Sequence, residues 1–123
     1  SVPCPPRHAS AASGEVFRCF QHDPPANSEL RTHEERNAAP DADPCRRKSL
    51  SVFRRLEDAE HQIKLFRRWK KRFVAKAKLD AWHGVIDQTP TDAHPSHLSW
   101  WPDASLTLDA RAALFNQVCE VMP

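Results

Sequence analysis

The most regular apolar pattern in the chain lies between Cys45 and His83, a stretch that contains no Gly and no Pro. Apolar residues recur there at steps of three and four: Val52, Leu56, Ala59, Ile63, Phe66, Trp69, Phe73 and Ala77. This spacing is typical of one face of an α-helix, and Gly84 follows where a helix often ends. We predict one long central helix with Phe66, Trp69 and Phe73 in the core. A straight helix would be about 60 Å long, so it either breaks near residues 49–51 or 79–80, or projects from the domain.

The apolar pattern is shorter on either side of this stretch. A C-terminal helix is predicted over residues 107–121, with Thr107 as its cap. Residues 1–45 hold seven of the 11 prolines, and only a short strand at 15–20 and a short helix at 28–37 are expected there.

These elements predict a mainly α fold, in which one long basic central helix and a C-terminal helix pack together. The predicted domains are an irregular, Pro-rich and zinc-stapled subdomain at 1–45 and a helical domain at 46–123. The helical domain includes a loop at 88–103 that is rich in His and Trp.

Charge is distributed unevenly along this near-neutral chain of net charge +2. Residues 46–78 contain 13 basic and 3 acidic residues, a net charge of +10, whereas residues 1–45 sum to −3 and residues 79–123 to −5. Two interpretations follow: the acidic flanks fold onto the basic middle, or a basic face is left for a polyanion. With only two glycines, the chain cannot form the Gly-rich phosphate loops of common nucleotide-binding enzymes.

The basic middle is the main candidate for function. Five cations alternate with three aromatic residues from Phe66 to Phe73, and rows of Arg and Lys on a rigid helix suit the phosphates of a nucleic acid. The predicted nucleic-acid-binding residues are Lys64, Arg67, Arg68, Lys71, Arg72 and Lys78. We therefore predict a small DNA- or RNA-associated accessory or regulatory protein. A solvated helical face, an acidic protein partner and a membrane surface remain alternatives for the same residues.

Two Cys/His pairs in the N-terminal segment have spacings that suit a metal. Cys4, His8, Cys19 and His22 form the pattern C-x3-H-x10-C-x2-H, and four soft or borderline ligands are what zinc prefers. The Cys-Pro start and the strand-like residues 16–20 resemble the zinc-binding end of bacterial primases, and no function is carried over from this short likeness. A structural zinc would also compensate for the small core of a Pro-rich segment. Alternatively these residues lie in a mobile tail, or disulfides join Cys4 to Cys19 or Cys19 to Cys45.

The loop at 88–103 suggests two further hypotheses. Trp100 and Trp101, together with the basic face, are predicted to bind a protein partner, because Trp and Arg are enriched at binding hot spots. The protein would then be an interaction module, a regulator or inhibitor from a phage or mobile element. His83, His94 and His97 could instead hold a catalytic metal for hydrolysis. No Ser/His/Asp or Cys/His arrangement is recognisable, so no catalytic residue is assigned and a protein that is not an enzyme is favoured.

The expected location is the cytoplasm of a bacterium, with reduced thiols. No run of apolar residues is long enough for a membrane-spanning helix. The start without Met is expected of a trimmed or processed chain, so the N-terminus gives no targeting information.

Overall fold

Seven β-strands form a single antiparallel sheet in the computed structural model, which describes residues 3–121. The strands are β1 (Ser10–Ala11), β2 (Gly14–Phe20), β3 (Leu50–Phe53), β4 (Phe73–Leu79), β5 (Gly84–Gln88), β6 (His97–Pro102) and β7 (Gln117–Val121). Their order across the sheet is β1-β5-β6-β3-β2-β4-β7. Strands from both predicted domains, 1–45 and 46–123, therefore pair within the same sheet.

The helices are few and short. The described part of the chain contains two α-helices, α1 (Leu56–Leu65) and α2 (Leu108–Leu114). Short 3-10 helices cover Asn27–Leu30, Arg46–Lys48, Arg67–Trp69 and Ala81–His83. Within residues 3–121, no helix is long and apolar enough to cross a membrane.

The two α-helices cover opposite faces of the sheet. Val16 and Phe20 of β2 pack in a core with Phe115, which follows α2, and the Phe20 and Phe115 ring centroids are 5.3 Å apart. Cys19, also on β2, packs instead against Ala59 of α1. Alternate side chains of a strand point to opposite faces, so this central strand contributes to both cores.

The predicted mainly α fold is wrong, because the stretch assigned to one helix contains two strands. Only α1 is α-helical between residues 45 and 83, and it ends at Leu65, because the backbone of the next residue, Phe66, has left the helical region (φ −117°, ψ 60°). Lys70 then adopts a left-handed conformation, which a continuing helix does not allow. In β4, Ala75, Ala77 and Leu79 are buried between less buried lysines, and this alternation is the signature of a strand.

The elements predicted on either side of the long helix are confirmed in part and corrected in part. The C-terminal helix ends at Leu114, and β7 pairs with β4 beyond it; its predicted cap is confirmed, because the Thr107 side chain accepts a hydrogen bond from the Ala110 N–H at 3.1 Å. The predicted loop at 88–103 includes β6, which pairs with both β3 and β5. The strand at 15–20 is confirmed as part of β2, whereas the helix at 28–37 is reduced to the single turn Asn27–Leu30.

Candidate functional site

The predicted zinc site is not formed, because its four residues have other partners. Cys4 is bonded to Cys45 in a disulfide, and the buried Cys19 thiol donates to the Ala59 carbonyl. His8 and His22 pair with the carboxylates of Asp87 and Glu29 at 3.0 and 3.3 Å, respectively. From residue 3 to residue 121, no three His, Cys, Asp or Glu side chains are grouped so that they could hold a metal ion. The structure therefore forms no metal-binding group from these four residues, since Cys4 is used as a covalent cross-link, and zinc as a cofactor stays a prediction.

The predicted basic helix does not exist, and its cations are divided among several elements. Lys64 is on α1, Arg67 and Arg68 are in the 3-10 helix, Lys71 and Arg72 are in the turn before β4, and Lys78 is on β4. All are exposed except Lys71, which is half-buried. The expected core position of Trp69 is also wrong: its indole is 42% exposed and stacks on Phe66, with ring centroids 4.2 Å apart.

The predicted partner-binding tryptophans lie inside the sheet. Trp100 and Trp101 are on β6 and are 0% and 5% exposed. Their indole N–H groups donate to the carbonyls of His83 and Cys45 at 3.1 and 2.9 Å. These side chains therefore offer almost no surface to a partner in this structure, and the partner-binding role stays a prediction.

Within residues 3–121 the three histidines considered for a catalytic metal are not grouped as ligands of one ion, although His94 and His97 both contact the Phe53 ring. His83 is buried, and its Nδ1 accepts a hydrogen bond from the Asp80 N–H at 2.8 Å. His94 Nε2 lies 3.1 Å from Nδ1 of His61, on α1. His97 lines a cavity, and this cavity is the main candidate for a functional site.

Five arginines converge on that cavity, which we call the arginine pocket. Its volume is about 250 Å³, slightly below the roughly 300–1,000 Å³ typical of ligand pockets. It is lined by Arg18, Arg31, Arg36, Arg46 and Arg47, by His33 and His97, by Ser49, Ser51 and Ser99, and by Ala42 and Leu50. No carboxylate is among these lining residues, so the pocket is strongly cationic.

The pocket forms where the sheet is incompletely paired. β2 and β3 share a single residue pair, Phe17 with Phe53, whereas β2 pairs with β4 along its whole length. Beyond that pair, the Arg18 guanidinium bridges the two strands: its Nη1 donates to the Ser51 carbonyl at 2.8 Å, and its Nη2 donates to the Glu29 carbonyl at the same distance. A side chain thus supplies the hydrogen bond that a continued ladder would have made, and its charge lies at the wall of the pocket.

Other pocket side chains are held by neighbouring groups of the chain. Arg36 Nη2 lies 2.9 Å from Nδ1 of His33, and Arg47 Nε donates to the Ala38 carbonyl at 3.1 Å. Arg46 and Arg47 directly follow Cys45, so the disulfide fixes the start of the segment that carries them. The guanidinium groups of Arg18, Arg36 and Arg47 are therefore positioned before any ligand arrives.

The electrostatics of the pocket show the effect of this crowding. Burial, and to a smaller extent the nearby Arg36, lower the pKa of Arg18 to about 10, and the guanidinium stays protonated at neutral pH. The pKa of His33 is lowered by partial burial and then by Arg36, Arg18 and Arg47. Burial also lowers the pKa of His97, with Arg46 acting in the same direction. The free pocket thus disfavours further positive charge.

A larger depression of about 700 Å³ lies beside the disulfide. It is lined mainly by Pro3, Pro6, Pro44 and the two cysteines, together with Arg7, His8, Asp43 and Lys48. Its charged groups have both signs and it is more open, so it offers less chemistry than the arginine pocket.

Sequence reasoning missed the arginine pocket. Arg18, Arg31 and Arg36 are three of the four basic residues in a segment whose net charge is −3, and their spacing matches no motif. The remaining two, Arg46 and Arg47, were part of the basic middle but not of the predicted binding residues. The only available signal was the number of arginines near the Pro-rich segment, and it does not indicate that they converge.

Comparisons with protein-family models, with curated proteins and with solved structures found no match to this chain. The functional argument therefore rests on the pocket itself.

Proposed function

We propose that this protein binds a small, multiply charged anion, a phosphate or sulfate ester, in the arginine pocket. The observation that carries the proposal is the convergence of five arginines and two histidines on one cavity without a lining carboxylate. Phosphate and sulfate groups match this arrangement, because a guanidinium offers a planar pair of N–H donors that binds two of their oxygens at once.

The pocket arginines differ from arginines elsewhere in the chain. Arg111 forms an ion pair with Glu35 at 2.7 Å, and Arg55 pairs with Glu57 at 3.2 Å. Across residues 3–121, none of the five pocket arginines has such a carboxylate partner. The Glu29 carboxylate, the nearest candidate for Arg18, accepts hydrogen bonds from the backbone N–H groups of Gln21 and Ala26. Within residues 3–121 no ion pair therefore neutralises these arginines, although the nearby Glu29 partly offsets the charge of Arg18.

Arg18 provides the strongest support within the set. Its Nε is buried and has no hydrogen-bond partner among the described residues. Burying a charged group with an unmet donor is unfavourable unless something compensates it. A bound anion would lower this cost by adding a charge-assisted interaction at the wall of the pocket.

Calorimetric titration with inorganic pyrophosphate tests the proposal. We expect binding to the wild-type protein, and Arg36→Gln or Arg46→Gln to weaken it by about 10- to 100-fold, since one charge-assisted hydrogen bond contributes about 1.5–3 kcal/mol. Arg68→Gln is the matched control, because it removes the same charge from an exposed position outside the pocket. The proposal fails if pyrophosphate does not bind, or if the Arg68 variant loses as much affinity as the pocket variants.

Nucleic-acid binding is the second candidate function, and it is favoured by the turn that follows α1. The stacked Phe66 and Trp69 rings lie beside the exposed Arg67, Arg68 and Arg72, a combination suited to the bases and phosphates of a single strand. Binding to single-stranded oligonucleotides should weaken steeply with salt, and joint replacement of Arg67, Arg68, Lys71 and Arg72 by Ala should abolish it. No detectable binding at about 50 mM salt would exclude this function. A role as a regulator that docks on a protein remains a prediction.

The disulfide bears on the compartment in which the protein acts. Stable disulfides form in oxidising compartments and are rare in the cytosol, so Cys4–Cys45 favours an oxidising compartment over the predicted cytoplasm. Thiol labelling of the protein from its native host distinguishes the two: a protein whose Cys4 and Cys45 are both labelled without prior reduction would support the cytoplasm.

A further inference from the structure

His97 is held in one orientation at the wall of the arginine pocket. Its Nδ1 lies 3.0 Å from the Thr89 carbonyl oxygen and 2.8 Å from Thr89 Oγ1. A carbonyl oxygen can only accept a hydrogen bond, so Nδ1 carries the proton. In the neutral ring, Nε2 then has the free lone pair, and this atom makes no hydrogen bond to the described residues.

Two further contacts fix this arrangement. The edge-to-face contact with Phe53, with ring centroids 5.4 Å apart, packs the imidazole against the second core. Thr89 Oγ1 also lies 3.0 Å from Ser99 Oγ, which lines the same pocket. If Thr89 accepts from His97 and donates to Ser99, the Ser99 hydroxyl proton is left for a ligand. The imidazole and the hydroxyl thus face one cavity from neighbouring positions of β6.

We propose that His97 is a phosphoryl acceptor: its Nε2 takes the phosphoryl group from an acyl phosphate bound in the arginine pocket. This inference rests on the proposed anion-binding function and adds a covalent step to it. A histidine that is oriented through its other ring nitrogen by a carbonyl is a recognised form of nucleophile, since the second nitrogen is then unprotonated and aimed.

The step balances without any further reactant. The Nε2 lone pair forms a P–N bond, the bond between phosphorus and the acyl oxygen breaks, and the acylate leaves with the electron pair of that bond. The ring keeps its Nδ1 proton, which the Thr89 carbonyl continues to accept, and the imidazolium that results carries the phosphoryl group. No proton has to reach the leaving group, because an acylate is a weak base.

The surroundings of His97 favour this reaction both before the attack and during the transfer of the phosphoryl group. Burial and Arg46 lower the pKa of His97, so the ring is neutral and nucleophilic at neutral pH. The arginines would neutralise the oxygens of the phosphoryl group during transfer, which is the electrostatic contribution on which phosphoryl transfer mainly depends. The absence of a lining carboxylate removes the repulsion that an approaching phosphate would otherwise meet.

Incubation of the intact protein with acetyl phosphate, followed by mass spectrometry, tests the inference. We expect one added phosphoryl group that is labile in acid and stable in base, and that maps to the peptide containing His97. In His97→Asn we expect the modification to fall at least about tenfold. His8→Gln, at an exposed histidine outside the pocket, is the control and should be modified like the wild type.

The outcomes separate this inference from the function on which it rests. Pyrophosphate binding without modification by acetyl phosphate would overturn the covalent step and leave the binding function intact. Modification that maps to a residue other than His97 would also overturn the covalent step. Because the modified residue is mapped in the wild-type protein, this result does not depend on whether the His97 variant folds. If the wild type neither binds pyrophosphate nor is modified, both proposals fail.

Discussion

Replacing Cys4 and Cys45 together by Ser should lower the free energy of unfolding by about 4 kcal/mol. The bridge joins residues 41 positions apart, and the loss of chain entropy on closing a loop of that size gives about this value at room temperature. The cross-link also fixes residues near the start of the chain to the segment that carries Arg46 and Arg47. The variant without the disulfide should therefore lose anion affinity as well as stability.

Urea unfolding at constant pH measures the first effect, with Cys119→Ser as the control because Cys119 is a free cysteine. A loss of about 4 kcal/mol corresponds to a fall in Tm of roughly 10–20 °C for a domain of this size. A change below about 1 kcal/mol, which is the usual size for a substitution without a special mechanism, would refute the reasoning. It would mean that the unfolded chain gains little freedom when the bridge is removed.

Three further predictions concern the histidines, a glycine and a helix cap. The pKa is lowered by burial at three histidines: His33, His94 and His97. The unfolded chain therefore binds protons at these sites before the folded chain does, so without an anion the free energy of unfolding should fall as pH falls below about 6.5; urea titrations that show greater stability there would contradict this. Gly84→Ala should unfold the protein or lower its free energy of unfolding by more than about 3 kcal/mol. The φ angle of Gly84 is +125°, and an added Cβ would clash with the Trp101 carbonyl oxygen. Gly14→Ala should lower the free energy of unfolding by less, measured by thermal unfolding, since the atom nearest to its added Cβ belongs to a flexible side chain. Equal losses of stability in the two variants would count against the backbone clash at Gly84. Thr107→Ala should cost about 1 kcal/mol by the same measurement, and no loss would show that the hydrogen bond to Ala110 is unimportant.

The long helix was predicted from a spacing that two different structures can share. Val52 and Ala77 fit the steps of three and four, yet they are on β3 and β4. The pairing partners of these strands lie far away in sequence: Val52 is opposite Leu98, and Ala77 is opposite Val16. Local periodicity carries no record of such long-range pairing, and tertiary contacts override the local preference. By contrast, Thr107 acts on the next turn of the chain, and its capping role was predictable.

The candidate site was missed for a related physical reason. Charge summed along segments placed Arg18 and Arg36 in an acidic region and Arg46 in a basic one, whereas folding brings all three to one cavity. The disulfides named as alternatives to zinc were Cys4 to Cys19 and Cys19 to Cys45, whereas the structure joins Cys4 to Cys45. Cys4 is bonded to Cys45, 41 residues away in sequence, and Cys19 is turned into the core instead.

NMR titration of the arginine side-chain Nε–H signals with inorganic pyrophosphate is the most direct test of the central claim, that the arginine pocket is an anion-binding site. The account predicts saturable shifts that are largest for Arg18, Arg36 and Arg46, with the Arg18 Nε–H protected from exchange when the anion is bound. Shifts confined to Arg67 and Arg68, or no saturable shift at any pocket arginine, would contradict it.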